Sequence, residues 1–298
     1  MRRMAVVINQ KAGSIAMQQE PGILARMVDL FRGFGVAAEV ELLEVDRMAE
    51  TARQAIAGKW DALVAGGGDG TVSALAGILA GTKIPLGVLP LGTYNHFAKD
   101  LNVPLDLENA IRSVALSEPR PVDLAEVNKH FFVNNSSIGI YPHAVEEREM
   151  MRRQTKLSKQ VLMIWAAVKV LFRRPLVRVR LEMLEEQVKR TTPFVFVGNN
   201  CYSLGLTADK LRPCLDGGCL FVLAARDVGF WSLGRLAWRA LRNRLRESEE
   251  LDLWRTRELV IRTHRRHMRV SLDGEVLRLQ TPLHYRIHPQ ALQVIAPA

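Results

Sequence analysis

Short apolar runs and helix-periodic stretches alternate through the first third of the chain. Met4–Ile8 is an apolar run of strand length. After it, Ile23, Leu24, Met27, Val28, Phe31 and Phe34 fall on one helical face, and Gly35 stands where a left-handed C-cap residue would. Val36–Leu43 then reads as a strand, Ala49–Ala57 as a helix, and Asp61–Ala65 as a strand that runs into glycines. A helix from about Thr71 to Leu79, a strand Leu86–Leu89 and a helix from about Asn95 to Leu101 follow. This β-α-β-α order predicts an α/β domain with a mainly parallel sheet covered by helices. Ligands of such sheets sit beyond the carboxyl ends of the strands.

From about residue 122 the period changes. Val177–Met183 alternates strictly, as a half-buried strand does. Phe194–Val197, Leu220–Ala224, Leu259–Thr263, Met268–Leu272 and Val276–Leu279 add short strands, and Asp273-Gly274 is a hairpin signal between the last two. Helical insertions are expected near Ala144–Phe172 and Trp231–Leu245. The expected division is residues 1–122 and 123–298, with the boundary near Pro119–Asp123.

Composition narrows the class. The chain has 298 residues, 48% apolar and 24% charged, which excludes a disordered or collagen-like chain. Its longest strongly apolar stretch, Val161–Phe172, is interrupted by Lys169 and is too short for a bilayer-spanning helix. Five apolar residues before Asn9 are too few for a secretory core, so the start reads as a buried strand. Cys201, Cys214 and Cys219 lack metal-ligand spacing with histidine and read as small buried side chains in a reducing, cytoplasmic compartment. A formal net charge of +10 favours phosphate-bearing partners without choosing among nucleic acid, nucleotides and anionic lipid.

The most informative segment is Gly66-Gly67-Gly68-Asp69-Gly70-Thr71, after a strand and opening a helix. Glycines let the backbone approach a ligand and present N–H groups to phosphate oxygens, and the helix adds its N-terminal partial charge. No Gly-Lys-Ser/Thr ending follows, so this is not a Walker loop, and the spacing lacks the third glycine of a dinucleotide fingerprint. Asp69 among phosphate-binding amides calls for a divalent cation or a proton-handling role, unless the loop is simply a tight turn. A second glycine turn, Pro90-Leu-Gly-Thr-Tyr-Asn-His-Phe97, would lie beside the first in a parallel sheet.

With these turns, with Asn9–Ser14 and Phe132–Gly139, and with Asp216-Gly217 and Asp273-Gly274-Glu275, the sequence resembles the diacylglycerol kinase catalytic domain family. That family includes sphingosine and ceramide kinases, and its bacterial branch is the nearest in pattern. The Gly-Gly-Gly-Asp-Gly motif is shared with NAD kinases and phosphofructokinases, whereas Pro-x-Gly-Thr-x-Asn and the late Asp-Gly-Glu are more specific. The resemblance implies an α/β ATP-binding domain and a β-sandwich domain carrying the lipid substrate, with the chain end, Ala291–Ile295, returning to the first domain. Gly66, Gly67, Gly68, Asp69, Gly70, Thr71 and Val72 would cradle the ATP phosphates, joined by Gly92, Thr93 and Asn95. Asn9 and Gly13 match the first nucleotide-contact segment, although Gln10 stands where the family usually has proline. Glu275 matches the general base for the lipid hydroxyl, a role that some relatives assign to the position of Asp69. Asp216 matches a metal-binding aspartate, with the carbonyls of Pro213 and Gly218 beside it, and Mg²⁺ is the implied cofactor. The sequence departs from the pattern at His96, where many diacylglycerol kinases have aspartate, and at Gly-Cys-Leu-Phe after Asp216-Gly217, where relatives often carry another acid.

Two basic stretches complete the picture. Residues 148–174 hold eight Lys/Arg against one acid around an apolar run with Trp165, and Arg235–Arg246 lies near Trp231 and Trp238. Both fit helices resting on an anionic leaflet, and both fit helices packing on the β domain with solvated basic faces. No nucleic-acid-binding motif is present. The expected protein is therefore a cytoplasmic, peripherally membrane-bound kinase that moves the γ-phosphate of ATP to a lipid hydroxyl. Its rivals are a kinase of a soluble metabolite and a catalytically silent, nucleotide-gated membrane adaptor.

Overall fold

A computed structural model describes residues 1–10, 22–139, 142, 176–203, 212–226 and 251–297. The expected helical insertions, the two basic stretches and Gly13 lie outside the described residues.

The chain forms two compact units: Met1–Leu124, Phe131–Asn134 and His288–Ala298 make the first, and Ala125–His130 with Asn135–Ile287 the second. In the first unit, β1 (Arg2–Asn9) pairs in parallel with β2 (Val36–Leu43) on one side and with β3 (Ala62–Gly67) on the other. The parallel pair β3–β4 follows, with β4 over Leu86–Pro90. Met4–Ile8 and Leu63–Ala65 are almost wholly buried, as central strands covered on both faces must be. Helices α1 (Ile23–Gly33), α2 (Val45–Ile56), α3 (Asp69–Leu79), α4 (His96–Asp100) and α5 (Leu107–Leu116) cover the sheet. They pack as pairs, α1 with α5 and α2 with α3.

Most of these elements follow the apolar pattern of the sequence. α1 buries Met27 and Phe31, and Gly35 at φ 79° ends it in the left-handed conformation expected of a C-cap glycine. α2 starts at Val45, earlier than the Ala49 expected, because Asp46 and Arg47 sit on a solvent-facing first turn while Met48 begins the buried face. The unexpected helix is α5. Asp106 Oδ1 accepts from the Asn109 amide as its N-cap, and Ala110, Ile111, Val114 and Ala115 form its buried face. It sits so close to β4 that a Cβ on Gly87 would lie 2.8 Å from Val114.

In the second unit, a six-stranded sheet runs β12 (Leu251–Thr256), β11 (Leu220–Ala225), β10 (Phe194–Asn199), β7 (Asn135–Gly139), β14 (His267–Leu272), β15 (Glu275–Gln280). Every described pairing within it is antiparallel. A second antiparallel group is β9 (Gln187–Thr192), β8 (Val177–Met183), β13 (Glu258–Thr263) and the first half of β16 (Leu283–Ile295). Tyr285 on β16 reaches Ser136 on β7 at 3.0 Å, linking the two groups through the core, and burial pushes its phenol well above the ordinary range despite that bond. The antiparallel β half expected from the sequence is present in this form.

β5 (Pro119–Val127) and β6 (His130–Phe132) carry the chain back and forth, so that it passes between the units four times. β16 serves both: Leu283–Arg286 pair with β13, and Val294 pairs in parallel with Leu86 of β4.

Candidate functional site

The two glycine turns are neighbours because β3 and β4 pair in register, with Gly67 opposite Pro90 at the ends of the strands. The contact is close. A Cβ on Gly92 would stand 2.4 Å from the Gly68 Cα, 2.7 Å from Asn95 Oδ1 and 3.0 Å from the Gly68 nitrogen, so any side chain there must push the turns apart. A Cβ on Gly68 would meet only the Gly92 Cα, at 3.5 Å, which is ordinary contact.

Within the first turn the glycines divide their work. Gly66 and Gly67 belong to buried strand, and a Cβ there would strike Ile8 at 2.9 Å or Thr71 at 2.7 Å. Thr71 points inward, where Asn9 Nδ2 donates to its Oγ1 at 2.8 Å. Asn9 and Thr71 are therefore a buried strand-to-helix tie, and both are about 8% exposed. Gly68 is the residue before α3, and no side chain among the described residues caps that helix. The first N–H groups of α3, on Asp69, Gly70 and Thr71, have no intrahelical acceptor, so the helix presents an uncapped, positively polarised end. Val72 is already inside the ladder, donating to the Gly68 carbonyl at 3.1 Å and buried.

Asp69 binds the turns together. Its Oδ2 accepts from the His96 amide at 3.2 Å, and its Oδ1 from the Phe97 amide at 3.0 Å and from Asn134 Nδ2 at 3.1 Å. One carboxylate thus caps the first turn of α4 and holds the Phe131–Asn134 segment to α3. Nothing in the local sequence signals this, because Asn134 is 65 residues away. In the second turn Asn95 adopts φ 52° and closes the loop on itself. Its Oδ1 accepts from the Gly92 amide at 2.9 Å, and its Nδ2 donates to the Pro90 and Gly92 carbonyls at 3.1 and 3.0 Å. His96 stacks on Tyr94 with centroids 5.6 Å apart and 5° between planes, and its Nδ1 is buried without a partner among the described residues. Thr93 lies in the same turn.

The remaining candidates lie in the second unit. Asp273 and Gly274 have φ 47° and 90°, the double left-handed geometry of a two-residue hairpin turn joining Leu272 to Glu275. Asn135 on β7 pins the turn, its amide donating to Asp273 Oδ1 at 2.9 Å and its carbonyl accepting from the Asp273 amide at 2.9 Å. Glu275 follows, exposed and without a partner among the described residues. Asp216 is exposed on the loop between Arg212 and Leu220, with Pro213 and with Gly218 at φ 64°.

Cys201, Cys214 and Cys219 gather at this loop, which the sequence spacing did not reveal. They are free thiols of intermediate exposure rather than the buried side chains expected. Cys201 and Cys219 are 3.7 Å apart at sulfur. Burial first, then the neighbouring thiols, pushes Cys219 up to about 11, while burial, Cys201 and Asp216 raise Cys214. Among the described residues no group of three or more His, Cys, Asp or Glu side chains could hold a metal ion. The loop can still serve a hard cation in kind: one exposed carboxylate and backbone carbonyls suit Mg²⁺, which keeps most of its water.

Residues 3–127 match the family model of the diacylglycerol kinase catalytic domain, the stretch that contains both glycine turns. That stretch is similar in sequence to diacylglycerol kinase catalytic domains. The curated relatives include "Probable lipid kinase YegS-like" of Yersinia pestis (strain Pestoides F) and its namesake of Yersinia pseudotuberculosis serotype O:1b (strain IP 31758). Each is 43% identical over 82 residues, covering 26% of this chain and 28% of the relative, so the match spans under a third of those proteins' length. The whole chain is similar in fold to solved chains from Bacillus anthracis str. Sterne that are named for a diacylglycerol kinase. One gives TM-score 0.80 at 20% identity over 99% of this chain and 95% of that one, and another TM-score 0.70 at 19% over 99% and 97%. The likeness in fold to those chains thus extends past residues 3–127 into the antiparallel second unit. Among the described residues no helix is long and apolar enough to cross a membrane.

Proposed function

We propose that this protein is an ATP-dependent kinase acting on the hydroxyl group of a lipid at a membrane surface. The observation that carries the reading is the uncapped N-terminus of α3 beside the Gly92 turn, two backbone surfaces held in contact at the ends of adjacent parallel strands. Amides of Asp69, Gly70 and Thr71 would bind phosphate oxygens, with Gly68 giving close approach. Gly66, Gly67, Val72 and Asn9 would support the cradle from within rather than touch the nucleotide. Thr93 would add a hydroxyl from the second turn, and Asn95 would keep that turn in shape. Gly13 belongs to the same proposed nucleotide segment.

Phosphoryl transfer is mostly positioning and charge stabilisation, completed by a carboxylate at the acceptor hydroxyl. Glu275 is the candidate for that base. It is an exposed carboxylate free to accept a proton, whereas both oxygens of Asp69 already accept N–H groups. Asp69 is better suited to fixing the two turns. Asp216, with the Pro213 and Gly218 carbonyls, would hold Mg²⁺, which when bound supplies positive charge against the phosphates.

The test is incubation with γ-labelled ATP, Mg²⁺ and total lipid extract in mixed micelles, alongside Glu275→Gln. Label in the organic phase that disappears in the variant, with ATP binding retained, supports a lipid kinase with Glu275 as base. Label only on a water-soluble product transfers the reading to a soluble acceptor. ATP binding with no transfer from either protein leaves a nucleotide-binding adaptor.

A further inference from the structure

We propose that the solvent face of the β9–β8–β13 sheet docks this protein on an anionic phospholipid leaflet. The inference takes its purpose from the lipid kinase reading and its evidence from the charges of this face. Register puts Lys189 of β9, Arg180 of β8 and Arg262 of β13 side by side across three strands, with Arg178 one step along β8 opposite Thr191. All four cations are exposed. Like charges directly opposite in a sheet destabilise it, so the arrangement costs stability unless something anionic lies over it. Arg262 is neutralised by Glu182 at 2.9 Å. Arg178, Arg180 and Lys189 have no acidic partner among the described residues, and they line a groove of about 550 Å³.

The face is polarised along its strands. Glu182, Glu185 and Glu186 lie at or beside the β8–β9 turn, Arg180, Lys189 and Arg262 at mid-strand, and Arg178 toward the other end, where exposed Arg265 and Arg266 follow β13. Among the described residues of this face the two signs meet only at the Glu182–Arg262 pair, and the excess positive charge beyond it marks the end that would meet a negative plane. Leu176 stands at the cationic end, just before β8, and is 42% exposed. An exposed leucine beside guanidinium groups suits the boundary between headgroup phosphates and acyl chains. The groove is lined by no Phe, Tyr or Trp among the described residues, so it offers no stacking platform for single-stranded nucleic acid.

The experiment is co-sedimentation of the full-length protein with phosphatidylcholine vesicles, with and without phosphatidylglycerol. It compares the parent, the triple variant Arg178→Gln/Arg180→Gln/Lys189→Gln, and a control that removes three exposed cations of the first unit, Arg32→Gln/Arg53→Gln/Lys59→Gln. Each basic group at a leaflet is worth about fivefold in partition, so the triple variant should bind phosphatidylglycerol vesicles roughly a hundredfold more weakly. The control should stay within about fivefold of the parent. The triple variant should melt no lower than the parent, since it removes like-charge contacts, which separates lost docking from lost fold. Parent-like vesicle binding by the triple variant overturns the proposal. So does unchanged vesicle binding accompanied by lost binding to a single-stranded oligonucleotide, which would make the face a nucleic-acid surface. Vesicle binding is read without ATP, so docking stands even where no lipid is phosphorylated, and it falls independently where micellar turnover survives.

Discussion

Replacing Asp69 by asparagine tests what the carboxylate between the two glycine turns is for. As aspartate it accepts three hydrogen bonds, two from the first amides of α4 and one from Asn134. Asparagine keeps one oxygen, which can still serve Phe97 and Asn134, but it turns an N–H₂ toward the His96 amide. A charge-assisted bond is worth about 1.5–3 kcal/mol and a neutral one about 0.5–1.5, and a stranded donor adds a desolvation cost of about 1–3 kcal/mol when fully buried. Asp69 is only half-buried, so the lower figures apply, and a loss of about 2 kcal/mol is expected. That corresponds to about 4–8 °C in the melting temperature where the first unit unfolds as its own transition. Differential scanning calorimetry without nucleotide measures it directly. A variant that melts within a degree of the parent, yet has lost turnover, would refute the tethering role and return Asp69 to the proton-transfer chemistry.

Gly92→Ala and Gly68→Ala should differ in order. The first drives a methyl into the Gly68 backbone and should cost about 1–3 kcal/mol in denaturant unfolding, while the second should cost under about 1. Equal losses would show that the turns are not in contact. Burial alone would raise the Asp252 carboxyl, but hydrogen bonds from Arg190 and Arg226, each at 2.8 Å, outweigh it and hold the group below its ordinary value. Its stabilising contribution is therefore present above about pH 4, the unfolded value, and is lost as pH falls through the lower folded value. The stability gap between the parent and Asp252→Asn should be wide at neutral pH and close in acid, and urea titrations showing a constant gap would contradict this.

The parts of the molecule that local pattern governs were legible. β1 to β4 and the helices between them follow from apolar runs and periodicity, and the Asp273-Gly274 turn follows from residue type. α5 carried its signal too: Asp106 three residues before Asn109, then a buried face with helical spacing. Other elements were hidden for physical reasons. β6 has three residues, too few for a period to appear. β9 buries only Val188 and Thr192, so its polar outer face dominates the string. β16 contains Pro289 and a left-handed Gln290 at φ 53°, whose amide is taken up by Asp123 at 2.8 Å. At the candidate site the glycines announced a close approach, but not that Gly66 and Gly67 face buried neighbours while Gly68 faces its partner turn. The Asp69–Asn134 tie and the meeting of the three cysteines join residues far apart in the chain, and no local signal encodes them.

The pairing of Val294 with Leu86 bears on how the protein is made. A ribosome that has finished β4 must add about two hundred more residues before the neighbouring strand exists, so the nascent first unit waits with one sheet edge bare. During that interval the edge is open to other nascent chains and to holding chaperones. A gene fragment stopped after residue 127, where the catalytic-domain match ends, would make that waiting state permanent. Expression trials should therefore keep His288–Ala296 attached, by circular permutation or by co-expression as a separate segment, whenever the first unit is wanted alone.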